Sequence, residues 1–169
     1  MTTYFAYGSN MLTARVTRRT PSAVPVGRAR LEGFQLCFHK RGMDGSGKCS
    51  IAPAADRQAC VWGVLFEIPR NEHALLDLAE SLGAGYIRKS VVVQRAGSTL
   101  PAWTYQAQAG FIDGDLSPFD WYHALVLAGA VEHGLPPGYV EQIEMIASVV
   151  DPSPGRTEQM KALLSAPAG

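Results

Sequence analysis

The run Cys60-Val61-Trp62-Gly63-Val64-Leu65-Phe66-Glu67-Ile68 constrains the fold more than any other segment. Its nine residues carry apolar side chains at both parities: Val61, Gly63 and Leu65 on one face, Trp62, Val64, Phe66 and Ile68 on the other. In a strand, successive side chains point to opposite faces, so a chain with this run must cover both. That requirement fits a barrel or a covered sheet rather than a sheet with one wet face.

The remaining elements follow from their periodicities and punctuation. Tyr4 to Tyr7 reads as a short buried strand that stops at Gly8-Ser9-Asn10. Asn10 then reads as the N-cap of a helix over Met11 to Arg19, closed by Thr20-Pro21. Ala23 to Phe38 is strand-like and broken near Glu32-Gly33, and Gly42 to Gly47 is a loop. Ile51 to Pro53 adds a short strand. A helix opens at Pro69 and Asn71, with Leu75, Leu78, Ala79 and Leu82 as its buried face, and ends at Gly83-Ala84-Gly85. Tyr86 to Arg95 pairs with Pro101 to Gln106 through the Ala96-Gly97-Ser98 turn. Ser117 caps a helix over Phe119 to Glu132, and Gly138 to Ala147 forms another. Residues 1–150 then make one domain, and residues 151–169 a linker with a short tail helix. The order of strands and helices predicts an α+β fold.

A chain of 169 residues buries roughly 70% of the surface its unfolded form exposes, enough for a real core. Fifteen basic residues balance fifteen acidic ones, which argues against nucleic acid and anionic membranes as partners. Arg15, Arg18 and Arg19 read as surface cations on the first helix. Cys37, Cys49 and Cys60 have no framework spacing, so reduced thiols in a cytoplasmic setting are expected. The start has no basic n-region followed by a long apolar stretch, so no leader is expected, and no run reaches the ~18 apolar residues of a membrane span.

Two features carry candidate chemistry. A strand leading through glycine into a helix start, Tyr7-Gly8-Ser9-Asn10, leaves amide protons free for a carboxylate or a carbonyl oxygen. Glu80 lies at the C-terminal end of its helix, where the dipole disfavours negative charge and apolar burial would raise its proton affinity further. On these grounds Asp77, Glu72 and Glu67 are equal rivals. His39, His73, His123 and His133 show no metal-ligand spacing.

Three segments taken together are more specific. Tyr4-Phe5-Ala6-Tyr7-Gly8-Ser9-Asn10-Met11 resembles the opening signature of the γ-glutamylcyclotransferase (AIG2-like) family. Leu76-Asp77-Leu78-Ala79-Glu80 followed by Gly85-Tyr86 resembles its catalytic-glutamate segment. Ser117-Pro118-Phe119-Asp120-Trp121-Tyr122 and the stretch from Gly129 to Tyr139 resemble its C-terminal helical motif. The resemblance implies a small mixed β-barrel with flanking helices and Glu80 as the catalytic residue. It implies a γ-glutamyl pocket lined by Tyr4, Phe5, Ala6, Tyr7, Gly8, Ser9, Asn10 and Tyr122, with Tyr86 and Tyr139 as weaker members. The implied reaction closes a small γ-glutamyl amide on itself, giving 5-oxoproline and a free amine without a cofactor. The alternative is a non-catalytic binding or scaffold module that keeps the pocket. The family commonly has glycine after the catalytic glutamate, and here Ser81 stands there.

Overall fold

The computed structural model describes residues 1–165. Seven strands run β1 (Thr2–Ala6), β2 (Val24–Glu32), β3 (Phe34–Arg41), β4 (Gly47–Pro53), β5 (Cys60–Ile68), β6 (Tyr86–Arg95) and β7 (Ser98–Ala107). Five helices join them: α1 (Thr13–Arg19), α2 (His73–Ala79), α3 (Asp120–Glu132), α4 (Pro137–Glu144) and α5 (Pro154–Lys161). Among the described residues no helix is long and apolar enough to cross a membrane.

Five strands close a barrel in the order β1-β5-β2-β6-β7, and β3 and β4 form a separate hairpin. The two-sided apolar run is β5, which pairs with β1 on one edge and β2 on the other. Its Val61, Val64, Leu65, Phe66 and Ile68 are fully buried. Closure comes from β1 lying parallel to β7, with Tyr4 opposite Trp103. The mixed α+β barrel expected from the sequence is therefore the observed architecture.

Local departures have identifiable causes. Asn10 is not an N-cap. Residues Ser9–Met11 make a 3₁₀ turn, α1 starts at Thr13 behind Leu12, and no side chain caps it. The Asn10 carboxamide is drawn away by Tyr4, Arg19 and, 70 residues along the chain, Glu80. Ser117 caps nothing either, since α3 begins behind Phe119. The buried face of α2 is also not the one expected. Leu76 is fully buried, while Leu75 is 49% and Leu78 81% exposed, and Ala79 and Leu82 face solvent too. A helix of two turns offers too few positions for a hydrophobic stripe to fix its orientation. The orientation comes instead from Asp77, whose carboxylate takes two hydrogen bonds from Arg88 on β6 (2.8 and 2.7 Å) and one from the Tyr105 hydroxyl on β7 (2.7 Å).

The segment after Asp151 packs on the same body. Asp151 is buried and accepts from Trp121 Nε1 on α3 (2.6 Å) and from Arg156 (2.6 and 2.5 Å). Leu163 joins the core.

Candidate active site

The end of α2 sets the position of Glu80. The helix closes in a Schellman motif: the Leu82 N–H donates to Asp77 O (2.9 Å) and the Ser81 N–H to Leu78 O (3.2 Å). Such a motif needs a left-handed residue just past the cap, and Ser81 supplies it with φ +53°. Glycine is the residue that adopts this conformation without strain.

Glu80, 16% exposed at its side chain, turns toward the exit of β1. Its Oε1 accepts from Asn10 Nδ2 (2.9 Å) and from Arg19 Nη1, which also donates to Asn10 Oδ1 (2.6 Å). Asn10 Nδ2 donates further to the Tyr4 hydroxyl (3.1 Å). The apolar surroundings expected of Glu80 are thus replaced by a guanidinium and a carboxamide that hold one oxygen. Oε2 has no protein partner among the described residues and is left open. The rival carboxylates are placed elsewhere. Glu67 is exposed on β5, Glu72 accepts from the Ser22 N–H, and Asp77 is occupied by Arg88 and Tyr105.

Beside Glu80 lies a cavity of about 30 Å³ lined by Tyr4, Tyr7, Gly8, Ser9, Asn10, Cys49, Glu80, Tyr86, Tyr105 and Tyr122. Among the described residues the amides of Gly8, Ser9 and Asn10 donate to no protein acceptor. Gly8 is required by close approach: a Cβ there would lie 2.9 Å from Cys49 Cβ and 3.4 Å from the Tyr122 hydroxyl. Those hydroxyls tie the walls together. Tyr7 donates to Tyr105 O (2.5 Å), Tyr86 donates to Cys49 O (2.6 Å), and Tyr122 accepts the Cys49 N–H (3.0 Å). Burial, followed by the Glu80 charge, pushes the Tyr4 hydroxyl above its ordinary pKa, and burial does the same for Tyr7, Tyr86 and Tyr122. All four stay protonated, so they can donate but cannot act as anions. Burial pushes the Cys49 thiol up to about 12, which keeps it from serving as a thiolate nucleophile.

A second, outer chamber of about 220 Å³ shares Ser9, Glu80, Tyr86 and Tyr122 with the first. Glu80 therefore sits where the two spaces meet.

Of the residues expected in the pocket, Tyr4, Tyr7, Gly8, Ser9, Asn10, Tyr86 and Tyr122 line the cavity with Glu80. Phe5 and Ala6 do not reach it. Both are fully buried in the barrel, and the Phe5 carbonyl accepts the Thr104 hydroxyl (2.7 Å). Tyr139 lies on α4 and lines a different groove with Phe34, Cys60 and Trp62. Sequence reasoning missed Arg19, Cys49 and Tyr105. Arg15 and Arg19 are not surface cations: Arg15 is buried, Arg19 pairs with Glu80, and only Arg18 of the three is exposed. The available signal was the i, i+4 spacing of Arg15 and Arg19, which puts both on one helix face while Arg18 points elsewhere.

This arrangement can be set beside known proteins. Residues 60–143 match the AIG2-like family. The chain is 32% identical over 150 residues to gamma-glutamylcyclotransferase of Bos taurus, covering 85% of this chain and 77% of the relative. The Homo sapiens protein of the same name gives 32% over 150 residues at the same coverage. A solved structure of a gamma-glutamyl cyclotransferase superimposes with a TM-score of 0.85 and 27% identity, covering 97% of this chain and 98% of that one. Sequence identity across most of both chains and agreement of the whole fold lead to one conclusion: this chain belongs to the γ-glutamylcyclotransferase family.

Proposed function

We propose that this protein is a γ-glutamylcyclotransferase in which Glu80 moves the protons and the Gly8-Ser9-Asn10 amides hold a substrate oxygen. The substrate's own α-amino group attacks its γ-amide carbonyl. A C–N bond forms to close the five-membered ring, and the original amide C–N bond breaks. The products are 5-oxoproline and a free amine or amino acid. Because the nucleophile is tethered to its target, effective molarity supplies part of the acceleration. The protein must fold the chain back, take one proton from the α-ammonium and return it to the leaving nitrogen, while the ring nitrogen sheds its second proton and the freed amine picks it up as an ammonium. Glu80 fits both transfers: Oε1 is fixed by Asn10 and Arg19, and Oε2 is open. The three amides without acceptors line the same cavity and suit either the α-carboxylate or the developing oxyanion.

The observation that carries this reading is the meeting of the open Glu80 oxygen with the unpaired loop amides at the junction of two chambers. Of the protonated tyrosines around it, Tyr4 and Tyr122 supply neutral hydrogen-bond donors and no competing charge, since Tyr7 and Tyr86 already donate to backbone carbonyls. Residues 1–150 contain the whole site, and the tail from Asp151 braces α3, the helix that carries Tyr122. Three free thiols suit a reducing, cytoplasmic compartment.

The test is Glu80→Gln, which keeps size and one hydrogen-bond acceptor but removes the base. Release of 5-oxoproline from a panel of γ-glutamyl compounds should fall by about 10²–10⁴ in kcat while the variant stays folded. Near-normal release by the folded variant would remove Glu80 from the mechanism.

A further inference from the structure

The helix that ends at Glu80 has little apolar grip on the barrel: of the three leucines in α2, only Leu76 is fully buried. Its hold comes from Asp77, three residues before Glu80. Asp77 Oδ1 accepts from Arg88 Nε (2.8 Å) and from the Tyr105 hydroxyl (2.7 Å), and Oδ2 accepts from Arg88 Nη2 (2.7 Å). The two donors are arranged by the barrel. Arg88 and Tyr105 are direct cross-strand partners in the β6–β7 ladder, and the Arg88 guanidinium lies 4.5 Å over the Trp103 ring. The Asp77 main chain acts at the same place, since its carbonyl accepts the Leu82 N–H in the turn that carries Glu80.

Tyr105 is where this contact meets the candidate site. It is 2% exposed and lines the inner cavity with Glu80, whereas Asp77 lies outside the lining. The Tyr105 carbonyl accepts the Tyr7 hydroxyl (2.5 Å). Its ring stands edge-on to Tyr4, with centroids 5.9 Å apart, and to Tyr86, with centroids 6.2 Å apart. Three other cavity tyrosines therefore rest against Tyr105. Burial, followed by the bond to Asp77, raises the proton affinity of the Tyr105 hydroxyl, so it stays a donor to Asp77. One carboxylate thus ties the turn that carries Glu80 to a wall of the cavity. A misplacement of about 1 Å in such a constellation costs on the order of 10²-fold in rate.

We propose that Asp77 is a positioning residue for the cyclisation: from the helix that ends in Glu80 it binds the Tyr105 hydroxyl and so sets the spacing between Glu80 and the tyrosine wall. This rests on the reading that Glu80 moves the protons. Asp77 touches no substrate and takes no proton. It acts through Tyr105 and through the end of α2, and Arg88 balances its charge.

The two contacts of Asp77 can be separated. In Asp77→Asn, an amide oxygen in the place of Oδ1 still accepts from Tyr105, while the amide nitrogen faces Arg88 Nη2 and the ion pair is lost. Asp77→Ala loses both contacts. The experiment measures kcat and KM for release of 5-oxoproline from γ-glutamyl-L-alanine, beside the urea midpoint of each variant. Both variants should have lower midpoints than wild type. Only Asp77→Ala should lose kcat, by about 10-fold to 100-fold with KM within about threefold, and Asp77→Asn should stay within about threefold of wild-type kcat. Tyr105→Phe keeps the ion pair and should match Asp77→Ala in kcat. The double variant Asp77→Ala/Tyr105→Phe should be no slower than either single one, because each removes the same bond. Wild-type kcat in Asp77→Ala overturns the proposal. Equal losses in Asp77→Asn and Asp77→Ala overturn it too, since the ion pair alone would then account for them, and so does an additive loss in the double variant. If Asp77→Ala does not fold, wild-type kcat in Tyr105→Phe overturns it. Failure of the underlying reading looks different: near-normal release by folded Glu80→Gln removes Glu80, and the proposal with it. A large loss in Glu80→Gln beside full kcat in Asp77→Ala leaves Glu80 standing and removes Asp77 alone.

Discussion

Replacing Ser81 with glycine should stabilise the protein. Ser81 holds φ +53° because the Schellman closure of α2 demands a left-handed residue directly after Glu80. That conformation costs an L-residue about 1–2 kcal/mol. Glycine relieves the cost but widens the unfolded ensemble, which takes back about 0.4–1 kcal/mol. The serine hydroxyl makes only a weak contact, 3.8 Å to the Met43 sulfur, so little is lost with it. The net gain is about 0.5–1 kcal/mol. For a chain of this length that corresponds to a rise in Tm of about 1–4 °C. Urea unfolding should show a higher midpoint with an unchanged slope, since the native surface is the same. Ser81→Ala serves as the control: it removes the same hydroxyl, keeps the Cβ, and should give no gain. If Ser81→Gly is neutral or destabilised, or if Ser81→Ala gains equally, left-handed strain is not stored at this turn.

Two further outcomes are expected. Arg19→Met removes the cation that fixes Glu80 Oε1 and Asn10 Oδ1, and should lower kcat for γ-glutamyl substrates by about 10-fold to 100-fold, the worth of a charged hydrogen bond, with a smaller change in KM. Arg19→Lys should recover part of that loss in the same 5-oxoproline assay, and full wild-type kcat in Arg19→Met would rule out a positioning role. Asp151 has its pKa held well below the usual carboxylate range, first by its hydrogen bonds from Arg156. A depressed native pKa contributes stability above the unfolded value, about 3.9 for aspartate, and loses it as pH falls below that value. Asp151→Asn should therefore be less stable than wild type in urea at pH 6, with the gap closing toward pH 3. A gap that stays constant across that range would deny the linkage.

The sequence by itself determined the features that depend on near neighbours. The parity of apolar residues in Cys60–Ile68 required a strand covered on both faces, and β5 lies inside the barrel wall. The break at Glu32-Gly33 separated β2 from β3, and the turn at Ala96-Gly97 joined β6 to β7. Glu80 at the end of its helix and the open amides after β1 were legible because helix ends and glycine turns leave local marks. Choosing Glu80 over Asp77 required the family resemblance, since both are acidic residues on one short helix.

Tertiary structure decided what depends on residues far apart. Asn10 reads locally as a cap, but the Tyr4 hydroxyl and Glu80 claim its side chain. Leucine spacing could not orient α2, because the Arg88–Asp77–Tyr105 contacts span three elements. Phe5 and Ala6 sit within the opening signature, yet barrel closure turns them into the core, and Tyr139 lands in another groove. Arg19 and Lys40 look like ordinary surface cations in the chain. What separates them is their neighbourhood: one meets a carboxylate 61 residues away, and the other stands over the Tyr86 ring with no carboxylate in hydrogen-bond reach among the described residues. Charge placement of this kind is set by which surfaces the fold brings face to face, and no window of sequence contains it.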